Sequence, residues 1–132
     1  MTLRPLSPTV SVSAQLSPDV MPELAASGFK QVISNRPDGE EPGQPPAAVM
    51  EAAALEAGLT FAWIPVSGLP GPDQVAAVAA LLADGVPTVM FCRSGMRSAS
   101  AWAMSERLGG VDADALRAAA ATAGYDLARV PL

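Results

Sequence analysis

Short apolar runs that end in turn-forming residues alternate along this chain with longer alanine-rich stretches, a pattern that predicts strands separated by helices. Val10 to Ala14 reads as a first strand. Leu16-Ser17-Pro18-Asp19 then opens a helix, with Ser17 as the cap and Pro18 at the first helical position, and Gly28 ends it. Phe29 to Ser34 is rich in β-formers and predicts a second strand. The segment from Asn35 to Pro46 is dense in breakers and charge and reads as a loop. A helix from about Pro46 to Ala57, stopped by Gly58, leads into a third strand over Leu59 to Val66. Pro65 places that strand near a sheet edge or near its own end. A second breaker-rich loop, Ser67 to Pro72, precedes a helix over Asp73 to Ala83 that Gly85 closes. Val86 to Phe91 is a short buried strand, and helices follow over Ser98 to Leu108 and Asp112 to Ala123, the second capped by Asp112 and stopped by Gly124. Tyr125 and the tail to Leu132 are expected to pack back without chemistry of their own.

Strands spaced by helices of this length imply βαβ units. The predicted fold class is therefore α/β, a single domain over residues 1–132, with a central, mostly parallel sheet of about four to five strands flanked by helices. Ligands of such sheets sit beyond the carboxyl ends of the strands. The breaker-rich segments after Ser34, Val66 and Phe91 all leave predicted carboxyl ends, so topology alone gathers them around one mouth.

The third of these segments carries the chemistry. Cys92-Arg93-Ser94-Gly95-Met96-Arg97-Ser98 joins the strand ending at Phe91 to a helix, and the unpaired N–H groups of a helix N-terminus can converge on one negative atom. Those groups, the helix dipole and the two arginines favour an ionised Cys92 thiolate held open to incoming molecules. Arginines, serines and a glycine are poor material for a core and good material for a ring of donors. Gly95 allows a tight turn, Met96 shapes the rim, and Ser98 is expected to cap the helix while donating toward the sulfur. Arg36 directly follows a strand end and is a candidate for the same anion-binding mouth, a surface position being the alternative. Glu40 and Glu41 read as a solvated surface, and Trp63 and Trp102 as core residues.

Composition narrows the options. No apolar run approaches the ~20 residues of a membrane span, and the N-terminus lacks the layout of a signal peptide, so a cytoplasmic location is expected. The single cysteine cannot form an internal disulfide. The absence of histidine excludes a histidine base and histidine metal ligands, so neither a metal nor another cofactor is expected. A formal charge of −5 without a basic stripe argues against a nucleic-acid partner.

Three segments carry a resemblance: Asn35-Arg36-Pro37-Asp38-Gly39-Glu40-Glu41-Pro42-Gly43-Gln44-Pro45, Ile64-Pro65-Val66-Ser67, and Cys92 to Ser98. Together they resemble the phosphatase-like domain of bacterial β-lactamase-hydrolase-like proteins. The resemblance implies the fold of cysteine-dependent tyrosine and dual-specificity phosphatases. Some members are fused to a persulfide dioxygenase of metallo-β-lactamase fold, which implies sulfide or persulfide metabolism and such a dioxygenase as a functional partner. The loop departs from the phosphatase pattern, because Cys92 to Arg97 is Cys-x4-Arg rather than Cys-x5-Arg. Cys-Arg-Ser-Gly-x-Arg-Ser is also similar to the active loop of rhodanese sulfurtransferases. Dual-specificity phosphatases place an aspartate acid where this chain has Val66-Ser67-Gly68. Asp73 is the nearest acid and the candidate for that role, while Asp38, Glu40 and Glu41 lie in the first loop and none is required by spacing.

Three functions follow. The first is a sulfurtransferase that carries a sulfane sulfur as a Cys92 persulfide, with Arg97 offering a bidentate fork to a small anionic donor and Arg93 steering it. A smaller ring of donors suits one extra sulfur, and sulfur transfer needs no comparable acid. The second is a phosphatase acting through a phosphocysteine. The third is a non-catalytic anion-binding or redox-sensing module built on Cys92.

Overall fold

The parallel strands of the sheet all end at one level, and that register decides where the chemistry can be. The computed structural model describes residues 1–132. In chain order the elements are β1 (Arg4–Pro5), β2 (Val10–Ser13), a 3-10 turn (Pro18–Val20), α1 (Met21–Ala26), β3 (Gln31–Ser34), α2 (Ala47–Glu56), β4 (Thr60–Trp63), α3 (Pro72–Leu82), β5 (Thr88–Phe91), α4 (Met96–Leu108) and α5 (Ala113–Thr122). The strands form one sheet in the order β1-β2-β5-β3-β4. The short β1 pairs antiparallel with β2, and every other neighbour is parallel. This is the single α/β domain that the alternation of elements predicts.

Each face of the sheet has its own core. Val32, Val89 and Phe91 pack with Met21, Leu24 and Met50, so α1 and α2 cover one side. Val12, Ile33 and Met90 pack with Val78, Trp102 and Leu116, so α3, α4 and α5 cover the other. Successive residues of a strand point to opposite faces, which is why Met90 is separated from Val89 and Phe91. Burial of each such side chain stabilises the fold by about 1.5–3 kcal/mol, enough to make the central strands a rigid mount for their loops. β4 is the edge strand, as Pro65 implied, and its residues are only partly covered. No helix is long and apolar enough to cross a membrane.

Local boundaries differ from the sequence reading in ways that matter later. The first helix is split, with Ser17 accepting from Asp19 N at 3.3 Å to cap the 3-10 turn before α1 begins. β1 is absent from the reading because two residues carry no periodicity. Most consequentially, α4 starts at Met96 rather than Ser98. Its N-cap is Gly95 in the left-handed conformation (φ 98°), with no side-chain cap, so Ser98 lies inside the first turn.

Candidate active site

Ser13, Phe91, Ser34 and Trp63 are partners across adjacent strands, so the chain leaves β2, β5, β3 and β4 at the same height. Main-chain hydrogen bonds continue past the ladder and stitch the exits together. Asn35 N donates to Phe91 O at 2.8 Å, Val66 N to Asn35 O at 2.9 Å, and Gln15 N to Arg93 O at 3.2 Å. The segments after Ser34, Val66 and Phe91 therefore do converge.

Cys92 is the first residue beyond β5. The Gly95 N–H donates to its Sγ at 3.1 Å, and the Met96 N–H donates to Ser94 Oγ at 3.3 Å. The positive end of α4 thus faces the sulfur, as a helix N-terminus favours. Cys92 is nevertheless fully buried, against the expectation of an open sulfur. The loop turns back at once through Gly95 and closes over the strand end, so a reactant reaches Sγ only when surrounding groups shift.

Ser98 does not play its expected part. Its hydroxyl has a single proton to donate, and that proton goes to Asn35 Oδ1 at 2.8 Å. Asn35 Nδ2 in turn donates to Ile64 O at 2.9 Å. Both residues are fully buried. The hydroxyl therefore pins α4 to the chain leaving β3 instead of serving the sulfur or capping the helix.

Two arginines share one carboxylate above this floor. Arg97 donates to both oxygens of Glu40 at 2.8 Å and from Nη1 to Val66 O at 2.8 Å. The fork expected to face an anionic donor is thus closed on Glu40, leaving Nε–H and one Nη2–H. Arg36 is almost wholly buried and donates to Glu40 Oε1 at 2.9 Å, Glu41 Oε1 at 2.9 Å and Gln15 Oε1 at 3.0 Å. Hydrogen bonds from Arg97, and secondarily from Arg36, pull the Glu40 carboxyl down to about 2. The Glu40 hydrogen bond raises Arg97 further above its ordinary value, and the nearby Cys92 sulfur adds to this. Burial alone would lower Arg36, but its bonds to Glu41 and Glu40 outweigh that and carry it upward. Glu41 is lowered chiefly by the hydrogen bond from Arg36. The glutamates are exposed, as a charged loop suggests, yet they also bridge the arginines, because a buried guanidinium has to be paired.

The remaining candidates sit less centrally. Arg93 is exposed and lies 3.8 Å from Glu41. Met96 packs against the α3–α5 core instead of forming a rim. Asp73 is exposed in the first turn of α3 and forms no ion pair with the cradle, so the structure does not bring it to Cys92. Trp102 is core, but Trp63 is half-exposed and donates from Nε1 to Arg36 O at 2.9 Å. Gln15 and Tyr125 are not site candidates in the sequence, and Asn35 enters only as the first residue of a segment that carries the resemblance. Adjacency to Arg36 and to a strand end marked Asn35 and Gln15; nothing local marked Tyr125, whose hydroxyl donates to Ser94 O at 3.1 Å.

Comparison with known proteins matches residues 2–109 to the family described as beta-lactamase hydrolase-like protein, phosphatase-like domain. A beta-lactamase hydrolase-like protein of Xylella fastidiosa is 32% identical over 132 residues, covering 98% of this chain and 31% of that protein. Its counterpart in Agrobacterium fabrum is 36% identical over 109 residues, covering 80% and 25%. The chain thus spans a third or less of the length of these curated relatives. A Neisseria meningitidis protein described as a candidate phosphatase superposes with a TM-score of 0.82 at 28% identity, covering 98% of this chain and 93% of that one. Kinase associated phosphatase, whose catalytic site residue is a cysteine, shares the fold at 14% identity and a TM-score of 0.68, covering 89% of this chain and 79% of its own. The architecture is that of the cysteine phosphatases.

Proposed function

We propose a function from one premise: the chain belongs to the family of phosphatase-like domains of beta-lactamase hydrolase-like proteins. It is a cysteine-dependent phosphatase acting on aryl phosphates. The observation that carries this reading is the Gly95 N–H aimed at Cys92 Sγ at 3.1 Å, at the head of α4 and two residues from Arg97. The loop N–H groups and the free N–H groups of Arg97 suit the oxygens of a phosphoryl group carried on the sulfur.

The thiolate attacks phosphorus; an S–P bond forms as the ester O–P bond breaks and the phenolate leaves with the electron pair. Water then attacks phosphorus, the S–P bond breaks, and inorganic phosphate and the thiolate are released. Glu40, the carboxyl bonded to Arg97, titrates at about 2 and has no proton to give near neutrality, and Asp73 is exposed and forms no ion pair with the loop, so neither protonates the leaving oxygen. Phenolates leave with little protonation and alkoxides do not, so the chain prefers aryl to alkyl esters.

One observation favours a second reading on the same cysteine. The loop from Cys92 to Arg97 is a residue shorter than the phosphatase pattern, which suits a single sulfur atom. In that reaction Cys92 attacks the sulfane sulfur of thiosulfate, sulfite departs with the electrons of the broken S–S bond, and an acceptor thiolate or cyanide then takes the outer sulfur and releases the Cys92 thiolate. A persulfide dioxygenase of metallo-β-lactamase fold is then the natural partner.

The deciding experiment compares p-nitrophenyl phosphate hydrolysis with thiosulfate:cyanide transfer in the native chain and Cys92→Ser. Vanadate-sensitive hydrolysis lost in Cys92→Ser supports the phosphatase. Sulfur transfer with a sulfur adduct on Cys92 replaces it by the second reading. Neither activity overturns both and leaves an anion-binding or redox module.

A further inference from the structure

We propose that Tyr125 is a positioning residue for the cysteine loop, its phenol fixing the peptide unit that presents a hydrogen-bond donor to Cys92. The inference rests on Cys92 being the nucleophile and deepens that reading.

The Ser94 carbonyl and the Gly95 N–H belong to one peptide group. That group is planar and trans, so its C=O and N–H point in opposite directions and turn together. Here each end is held by a different part of the protein. The Tyr125 hydroxyl donates to Ser94 O at 3.1 Å, and the Gly95 N–H donates to Cys92 Sγ at 3.1 Å. Rotation of this unit would break both bonds at once. Such rotation is easiest next to glycine, which lacks the Cβ that restricts the backbone. The phenol opposes it, and by bonding the carbonyl it also polarises the N–H at the other end of the amide.

Contact between the two residues is close. A Cβ placed on Gly95 would lie 2.8 Å from Tyr125 Cζ and would collide with the hydroxyl. Tyr125 is itself fastened. Its N–H donates to Ala120 O at 2.8 Å, Arg4 Nη1 donates to Ala123 O at 3.0 Å, and the Arg4 guanidinium sits 5.9 Å from the centre of the tyrosine ring. Partial burial raises the phenol above its ordinary value, which keeps the proton it donates. A cavity of about 430 Å³ lined by Arg4, Gln15, Ser94 and Tyr125 opens beside the bond, so the phenol bridges the loop to the end of α5.

The test uses Tyr125→Phe, which keeps the ring and removes the donor. Gly95 amide exchange is expected to accelerate about tenfold and its amide proton to shift upfield, while amides of β5 are unchanged. Unchanged exchange at Gly95, or equal acceleration in β5, overturns the proposal. Tyr125 is the sole tyrosine, so complete replacement by 3,5-difluorotyrosine gives a second arm with the side chain's shape retained. Ionisation of that more acidic phenol removes its donor, and the Gly95 resonance is expected to follow the fluorine titration. A Gly95 resonance indifferent to that titration also overturns the proposal. Neither readout needs turnover. A chain that hydrolyses no aryl phosphate but shows both responses loses the phosphatase reading and keeps the clamp.

Discussion

Glu40 accepts from Arg97 through both carboxylate oxygens at 2.8 Å and shares one of them with Arg36 at 2.9 Å. One negative charge thus lies between two guanidiniums. The pairing holds Arg97 in place over the end of β5; Glu41 on Arg36 balances the second guanidinium, and the exposed Arg93 leaves this cluster of three arginines and two glutamates with positive character toward an anion.

The stability of this bridge depends on acid in a defined direction. Glu40 titrates at about 2 in the folded chain against an ordinary 4.5. A lowered folded value means its contribution is complete above pH 4.5 and fades as pH falls toward 2. We expect Glu40→Gln to lose roughly 2 kcal/mol near neutrality, the full shift being discounted for partial exposure. The gap to the native chain should close across that acid window in urea titrations. A constant gap at every pH would assign the loss to something other than the ion pair.

Arg97→Lys keeps a charge but cannot hold Glu40 and Val66 O and still present planar donors to an anion. Turnover, of whichever substrate the chain accepts, should fall about 100-fold in kcat/KM. Steady-state kinetics on the variant check this, and a loss under threefold would remove Arg97 from the anion site.

Ser98→Ala strands the buried Asn35 Oδ1 without its donor, which costs about 1–3 kcal/mol. Denaturant midpoints should drop with the slope unchanged. Because this hydroxyl serves Asn35 and not the sulfur, the rate of Cys92 alkylation at a pH where both proteins are folded should stay within about twofold. A much slower alkylation would restore Ser98 as a donor to the thiolate.

Gly95→Ala meets two obstacles, a positive φ and the Tyr125 phenol. The substitution should destabilise by about 2 kcal/mol or more. Adding Tyr125→Ala removes the collision but not the backbone strain, so a double-mutant cycle should show partial rescue. Purely additive losses would mean the two residues do not touch in solution.

Much of the framework is legible in the chain because its signals are local and steric. Glycine and proline mark where helices and strands must stop, and the strand running into Cys92 ahead of an alanine-rich helix places a thiol at a helix N-terminus. Topology then converts strand order into a shared mouth without any contact being known. What local signals could not reveal is which donors meet which acceptors. Ser98 reads as a cap until Gly95 is seen in the left-handed conformation three residues before the expected start. Glu40 reads as free surface charge until it is found exposed but paired with the buried Arg36 and with Arg97. Asn35 and Ser98 are 63 positions apart and Ser94 and Tyr125 are 31 apart, separations at which periodicity carries no information. Backbone sterics act between neighbours in sequence and set the elements; burial of polar groups and the need to pair them act between neighbours in space. The thiol at a helix N-terminus was therefore visible in the chain, whereas the partners that hold and enclose it were decided only by packing.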